Sequence, residues 1–354
     1  MRLLILTQKV DINDNNLGFF HRWIEEFAKH YESVVVVCLQ KGEYCLPPNV
    51  KVISLGKERD ASRIKYLWNF YKYIFKYKNN YDGVFVHMNK EYVLLGGLLW
   101  KLWHKKIALW YTHKAVSWQL KLAEKIVDKI FTASKESFRL SSKKVEITGH
   151  GIPRASLNYN NLDEHQVLKH RDTLFLLSVG RVTPSKDWET VIRAVAELQS
   201  KKIVGLKTII YHFAGDIADP RDEQYRDKLL KMGREITEAG FSFHSYPPEQ
   251  MSNIYLNHHI LIHTSRTGSV DKVVLEALAS GRMVITSSEA FVDLAKEGLV
   301  YTFPEGDCQE LAKTIEKIYN SGIILHNERG IEFVKKNHNL ENVVGKILDY
   351  FKTP

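Results

Sequence analysis

Long apolar runs are missing from this 354-residue chain. None approaches the roughly eighteen residues that a membrane-spanning helix needs, so no integral span is expected. The apolar stretch Leu3–Leu6 is too short for the core of a secretory signal, which points to the cytoplasm. Cysteine is scarce as well. Cys38, Cys45 and Cys308 stand far apart in no metal-ligand spacing, and an odd count gives no disulfide framework, so reduced, buried thiols are expected. No GxGxxG joins the first expected strand to the first helix, and the main sequence argument for NAD binding goes with it.

What is present is an alternation of short apolar runs and helical periodicities, the signature of an α/β protein. An apolar fraction of 44% fills real cores, and the length suits two domains. In the first half, strands are expected at Arg2–Thr7, Val34–Leu39, Lys51–Leu55, Gly83–His87, Ile107–Tyr111 and Lys129–Ala133. The unbroken valines of Val34–Leu39 read as a strand buried on both faces. Helices are expected at Gly18–His30, Ser62–Lys78, Tyr92–Trp103 and Ala115–Val127. The polar stretch from Arg154 to Asp172 reads as a linker. Beyond it come strands at Thr173–Val179, Lys207–Ala214 and Phe241–Tyr246, and helices from Trp188, over Glu223–Ala239 and over Met251–Asn257. The expected division is 1–158, a linker at 159–172, 173–330, and C-terminal helices at 331–354.

Charge is uneven. Residues 1–170 carry a net +11 and residues 171–354 a net −2. The segment Ser62–Lys78 interleaves Trp68, Tyr71 and Phe75 with Arg63, Lys65, Lys72, Lys76 and Lys78. It reads either as a core helix with a solvated basic rim or as a helix lying at an anionic membrane surface, with Lys105 and Lys106 beside Trp100 and Trp103 extending the patch. No nucleic-acid-binding module accompanies the charge, so nucleic acid is not expected as a partner.

The most informative stretch runs from Ile260 to Ser287. Ile260–Ile262 reads as a buried strand, Asp271–Ala279 as a helix with Val274, Leu275 and Leu278 on its apolar stripe, and Met283–Ile285 as the next strand. Hydroxyls from Ser265 to Ser269 lie at the mouth of that helix, where unpaired N–H groups suit an anion. The plainer reading is an ordinary turn capped by Ser269 or Asp271. Upstream, Arg181 and Lys186 follow the strand Thr173–Val179, and Thr112 and His113 follow Ile107–Tyr111. Polar residues just past such strands face a ligand crevice.

Glu276, Ala277, Leu278, Ala279, Ser280 and Gly281 resemble the second half of the paired-glutamate pattern of retaining glycosyltransferase family 4. The first glutamate position falls on Gly268, and Asp271 is the nearest carboxylate that could compensate. Thr148–Pro153 resembles the HGI-like turn that closes the family's first domain, its glycines permitting positive φ. The resemblance implies two Rossmann-like domains facing across a cleft, the GT-B fold, with a C-terminal helix crossing back to the first. It implies a UDP- or GDP-linked sugar as donor, no required cofactor and no metal; no DxD triplet occurs to ligate one. Its residue roles carry over as follows. Arg181 and Lys186 neutralise the donor diphosphate, Glu276 holds the ribose, and His113 contacts the sugar. Gly268, Ser269, Val270 and Asp271 form the turn beside the donor, and His244 and Tyr246 lie near the base. Gly18 either keeps part of the family's phosphate-loop role or merely starts a helix. His150 lines the crevice. The implied function is transfer of a sugar to an acceptor hydroxyl with retention, in envelope or surface glycan synthesis, on a glycan or lipid-linked acceptor. Two alternatives share the plan: a non-hydrolysing sugar-nucleotide epimerase and a non-catalytic sugar-nucleotide binder.

Overall fold

The computed structural model describes residues 1–14, 16–153, 172–201, 203, 205–236, 243–321 and 326–353. The expected linker at 159–172 falls outside these residues except for Asp172. The chain divides into two compact units, one of Met1–Pro153 with Asn337–Pro354 and one of Arg154–Lys336. Each is built on a wholly parallel sheet.

The first sheet has seven strands: β1 (Arg2–Val10), β2 (Ser33–Lys41), β3 (Val50–Ser54), β4 (Gly83–His87), β5 (Lys106–Trp110), β6 (Lys129–Thr132) and β7 (Val145–Ile147), in the order β3-β2-β1-β4-β5-β6-β7. Strand alternation sorts its side chains into two layers. Leu3, Ile5, Val34, Val36 and Phe85 pack with Phe20, Trp23, Ile24, Phe27, Val344 and Ile347, which come from the helices Phe19–Ala28 and Leu340–Lys352. Leu4, Leu6, Val35, Val37, Val84 and Val86 pack on the other face with Phe70, Ile74, Val93, Trp100, Leu120 and Ala123, from the helices Arg63–Lys76, Lys90–Leu102 and Trp118–Ile126. Burying each such side chain stabilises by roughly 1.5–3 kcal/mol, which is why the uninterrupted apolar runs specify central strands.

The second sheet has six: β8 (Thr173–Val179), β9 (Thr208–Ala214), β10 (Phe243–His244), β11 (Ile260–His263), β12 (Met283–Thr286) and β13 (Tyr301–Thr302), in the order β10-β9-β8-β11-β12-β13. Leu174, Leu176, Ile260, Ile262 and Ile285 pack with Trp188, Val191, Ile192, Val195, Leu311 and Ile315 of the helices Trp188–Ser200 and Cys308–Asn320. No described helix is long and apolar enough to cross a membrane.

Several local expectations change. The chain returns to the first unit at Asn337 rather than at 331. The helix Glu328–Asn337 belongs to the second unit as far as Lys336, with Gly330 against Leu278 and Asn327 capping it, accepting from Gly330 N–H at 2.8 Å. The helix expected from Ala115 begins only at Trp118, where Ser117 accepts from the Leu120 N–H at 3.3 Å. Cys38 is buried, but Cys45 is exposed and Cys308 half-buried, against the expectation of three buried thiols. Gly149 and Gly151 do take positive φ, +94° and +67°; a side chain at either would strike the Asn337 carbonyl or the Trp23 ring. The patch expected around Trp100 does not form. Trp100 is fully buried and donates to the Tyr81 hydroxyl at 3.2 Å, Lys105 donates to the Tyr81 carbonyl at 2.7 Å, and Lys106 to the Thr353 carbonyl.

Candidate functional site

Parallel sheets bind ligands beyond the C-terminal ends of their strands. In the second unit that edge is held open by two glycines. Gly180, at the end of β8, has φ +148°, and Gly215, at the end of β9, has φ +155°. A Cβ at Gly215 would lie 1.8 Å from the Gly180 carbonyl, so only glycine lets these two turns touch. The chain then makes a short turn at Pro184–Lys186, and Asp187 takes the left-handed conformation with φ +48°, which non-glycine residues rarely adopt. Arg266 secures it, donating to the Asp187 carboxylate at 2.9 Å and, through its backbone N–H, to the Ser185 carbonyl at 2.9 Å. Thr264 donates to the Lys186 carbonyl at 2.5 Å. The loops after β8 and β11 are thereby one structure.

Its centre is a chain of polar side chains. Lys186 Nζ pairs with Asp271 Oδ2 at 2.5 Å and reaches Ser265 Oγ at 3.2 Å. His263 Nε2 lies 2.9 Å from the same Asp271 oxygen, and His263 Nδ1 lies 2.9 Å from Thr286 Oγ1. Burial opposes a charged Asp271, but the His263 hydrogen bond and the Lys186 charge outweigh it and hold the carboxyl well below its usual range. Burial likewise lowers His263, against the pull of Asp271. The consistent assignment is a neutral imidazole donating from Nε2 to an ionised Asp271 and accepting at Nδ1 from Thr286. Lys186 has three N–H donors and spends two, leaving one for a ligand.

Asp271 is the N-cap residue of the helix Lys272–Ala279, yet its side chain makes no capping bond. The plainer reading of Asp271 as a simple side-chain cap therefore does not hold, because the carboxylate is turned to Lys186 and His263. Gly268 has φ +61°, Ser269 Oγ lies 3.4 Å from Thr267 Oγ1, and Val270 is buried. Glu276, on the same helix, is half-buried, accepts from the Tyr255 hydroxyl at 3.0 Å and lies 3.5 Å from Lys272 Nζ. Arg181 is exposed and forms no ion pair among the described residues. The His244 carbonyl accepts from Gly215 N–H at 2.8 Å, and the His244 and Tyr246 rings lie 6.2 Å apart. The second unit thus brings Lys186, Asp271 and the Ser265–Ser269 hydroxyls together, with Arg181 at the same sheet edge. His263 and Thr286 were not anticipated. The signal was available: both are polar ends of apolar strands, the rule that singled out His113.

In the first unit, Gly18 must be glycine for reasons of space. A Cβ there would come within 2.6 Å of the Asp14 carbonyl and 2.8 Å of that of Ile12. The loop around it is closed on itself: Lys9 pairs with Asp11 at 3.0 Å and Asp14 at 2.7 Å, and Asp14 accepts the N–H groups of Asn16 and Leu17. His113 is exposed, and its Nδ1 accepts from the Ala115 N–H at 3.1 Å. His150 is buried, its ring 6.2 Å from that of His338. A groove of about 710 Å³ in this unit opens instead at the N-terminal ends of β5 and β6. Its cations are committed: Lys101 to Asp128, Lys129 to Glu146 at 2.7 Å, and Lys106 to the chain's own backbone.

Comparison with known families decides the class. Residues 173–321 match the family described as glycosyl transferases group 1, and residues 12–132 match the glycosyl transferase 4-like family. The chain is a glycosyltransferase. The GT-B architecture is equally plain. A glycosyltransferase from Rickettsia africae superposes with a TM-score of 0.77 at 14% identity, covering 99% of this chain and 98% of that one. Anabaena HepE in complex with UDP gives 0.76 at 14%, covering 99% of each. Sucrose-phosphate synthase from Thermosynechococcus elongatus gives 0.77 at 16%, covering 99% of this chain and 98% of the other. No curated protein matches this glycosyltransferase in sequence.

Proposed function

We propose that this glycosyltransferase takes its sugar from a UDP- or GDP-linked donor and passes it, with retention, to a hydroxyl of a glycan or lipid-linked acceptor in envelope or surface glycan synthesis. The observation that carries the reading is the cationic edge of the second sheet: Lys186, held at 2.5 Å from Asp271 with a donor to spare, and Arg181, exposed with no ion pair among the described residues. As the bond from the anomeric carbon to the diphosphate oxygen breaks, negative charge grows on the leaving group. Fixed cations there stabilise the transition state more than the ground state. The acceptor oxygen bonds to the same face of the sugar, and its proton passes to a departing phosphate oxygen. Glu276 takes the ribose hydroxyls, the Gly268–Asp271 turn and Gly18 border the donor, His244 and Tyr246 lie toward the base, and His113 contacts the sugar. A UDP-linked donor agrees with the UDP bound to Anabaena HepE.

A panel of UDP-, GDP- and ADP-sugars tests this by thermal unfolding, followed by product analysis with acceptor. A donor at about a hundred times its Kd adds roughly 2.7 kcal/mol to the folded state. Protection by one nucleotide family, with turnover only when acceptor is present, is expected. Turnover without acceptor would replace the reading with an epimerase; binding with no turnover on any acceptor would leave a binder.

A further inference from the structure

Three neighbouring helices on one face of the first sheet turn apolar side chains outward. The helix Lys90–Leu102 lies between the other two. On one side, the Tyr71 hydroxyl of Arg63–Lys76 donates to the Leu95 carbonyl at 3.1 Å, and Phe75 packs edge-on against Trp103 at 5.1 Å. On the other, Gly97 permits close approach, since a Cβ there would come within 2.4 Å of Ile126 of the helix Trp118–Ile126. The inner faces are spent on the core through Phe70, Ile74, Val93, Trp100, Leu120 and Ala123. The outer faces are not polar. Ile64 is 81% exposed, Trp68 65%, Leu98 72%, Leu102 71% and Trp118 68%. Ile64, Trp68 and Phe75 form one helical stripe, Leu95, Leu98 and Leu102 a second, and Trp118 with Leu122 a third. Large apolar side chains gathered on one exposed surface mark an interaction site.

The charge around them is mostly positive, although exposed Glu91, paired with Lys90 at 3.1 Å, shares the stripe of Leu95, Leu98 and Leu102. The helix Arg63–Lys76 carries four cations and no acid. Lys65, Lys72 and Lys76 form an exposed row beside its apolar stripe, and Lys121 and Lys125 flank Trp118 and Leu122. Between residues 61 and 126 there are twelve Lys and Arg against three Asp and Glu. A second copy of the chain would set this positive surface against itself. An anionic bilayer satisfies both features: rings and leucines enter the interfacial layer while lysine stems reach the headgroups.

We propose that the outer surface of these three helices, centred on Trp68, Leu98, Leu102 and Trp118, docks the enzyme on an anionic lipid bilayer. The inference is independent of the donor reading, because it uses neither the second sheet nor any sugar contact. Flotation with phosphatidylcholine vesicles, with and without phosphatidylglycerol, tests it at roughly 0.1 M and roughly 1 M salt, where the screening length falls from about 10 Å to about 3 Å. The protein should float with anionic vesicles at the lower salt, and at least tenfold less with neutral vesicles or at the higher salt. The triple variant Trp68→Ser, Leu98→Ser, Leu102→Ser changes only exposed positions and should lose flotation while keeping its far-UV spectrum and its nucleotide protection. Flotation with neither vesicle, or undiminished flotation of a folded triple variant, overturns the proposal. So does a wild-type dimer that the triple variant abolishes, which would assign the surface to self-association. Wild-type protein that floats as expected but gains no protection from any nucleotide would fault the donor reading alone.

Discussion

His87 and His263 occupy matching places in two similar sheets. Each is the last residue of the strand beside the first strand of its sheet, β4 next to β1 and β11 next to β8. Each is buried, and burial lowers the pKa of each. Their surroundings differ completely. His87 lies between rings, stacked on Phe20 at 3.8 Å and near Trp110 at 5.4 Å, with one hydroxyl partner, Thr7, at 3.0 Å. His263 touches a carboxylate that in turn holds a lysine. The adjoining loops follow suit. Lys9, near the end of β1, is neutralised by two carboxylates of the loop that follows, whereas after β8 Lys186 has one and Arg181 none among the described residues. One architecture therefore carries a sealed edge and a chargeable one. Matching positions thus differ in charge compensation: the first edge is closed by carboxylates, and the second keeps Arg181 without an ion pair among the described residues.

The strongest way to break the comparison is to remove the cations. Lys186→Ala and Arg181→Ala should each lower kcat/KM more than about tenfold, since lost transition-state charge stabilisation commonly costs several kcal/mol. Only Lys186→Ala should also lower Tm, because it leaves the half-buried Asp271 carboxylate with the His263 N–H alone; exposed Arg181 has no such partner among the described residues. Steady-state kinetics with calorimetry separates the two. Turnover unchanged in folded variants would remove the diphosphate assignment.

How much of this was legible follows from which interactions are local. The central strands were readable because unbroken apolar runs such as Val34–Val37 have no other stable placement. Lys186 and Glu276 stood out by motif. The Lys186–Asp271 pair did not, because its members are 85 residues apart and meet only once the loops after β8 and β11 are stitched together. Reading β11 one residue short hid His263. Trp100 and Trp103 look alike in sequence, yet Trp100 is inside because Tyr81 supplies its N–H with an acceptor.

A smaller effect concerns acid. The His87 pKa is pushed down to about 3 from 6.5 by burial. Above the upper value both folded and unfolded chains hold it neutral. Between the two, only the unfolded chain takes the proton, so stability is full above the upper value and is lost as pH falls toward the lower. Each such histidine costs up to about 1.4 kcal/mol per pH unit. His87→Phe keeps the stack and removes the titration. It should lose about 2 kcal/mol less than wild type between about pH 7 and about pH 5, measured by denaturant unfolding, with nucleotide affinity unchanged. Equal acid sensitivity would mean that His87 protonates freely in the folded state.

Asp271→Asn sharpens the other side. It leaves a half-paired Lys186 that a ligand phosphate can complete. The unliganded variant should melt lower than wild type, and the nucleoside diphosphate should raise its Tm more, equivalent to a severalfold tighter Kd, or about 1 kcal/mol. Equal gains in variant and wild type would show that Lys186 does not reach the phosphate.

The mildest expected change is at Glu276. Its Oε2 accepts from the hydroxyl of buried Tyr255, while Lys272 sits 3.5 Å from Oε1. Tyr255 therefore orients a carboxylate without touching a ligand itself. Ribose contacts are made alike in the ground and transition states, so weakening them moves binding and leaves kcat alone. Tyr255→Phe keeps the ring and its packing and removes one hydrogen bond, worth about 0.5–1.5 kcal/mol. Calorimetry should then show nucleoside-diphosphate affinity reduced by roughly two- to tenfold, with kcat unchanged and Glu276→Ala losing more. A lower Tm with unaltered affinity would instead make the Tyr255–Glu276 bond a structural tie, and the ribose would need another partner on the second unit.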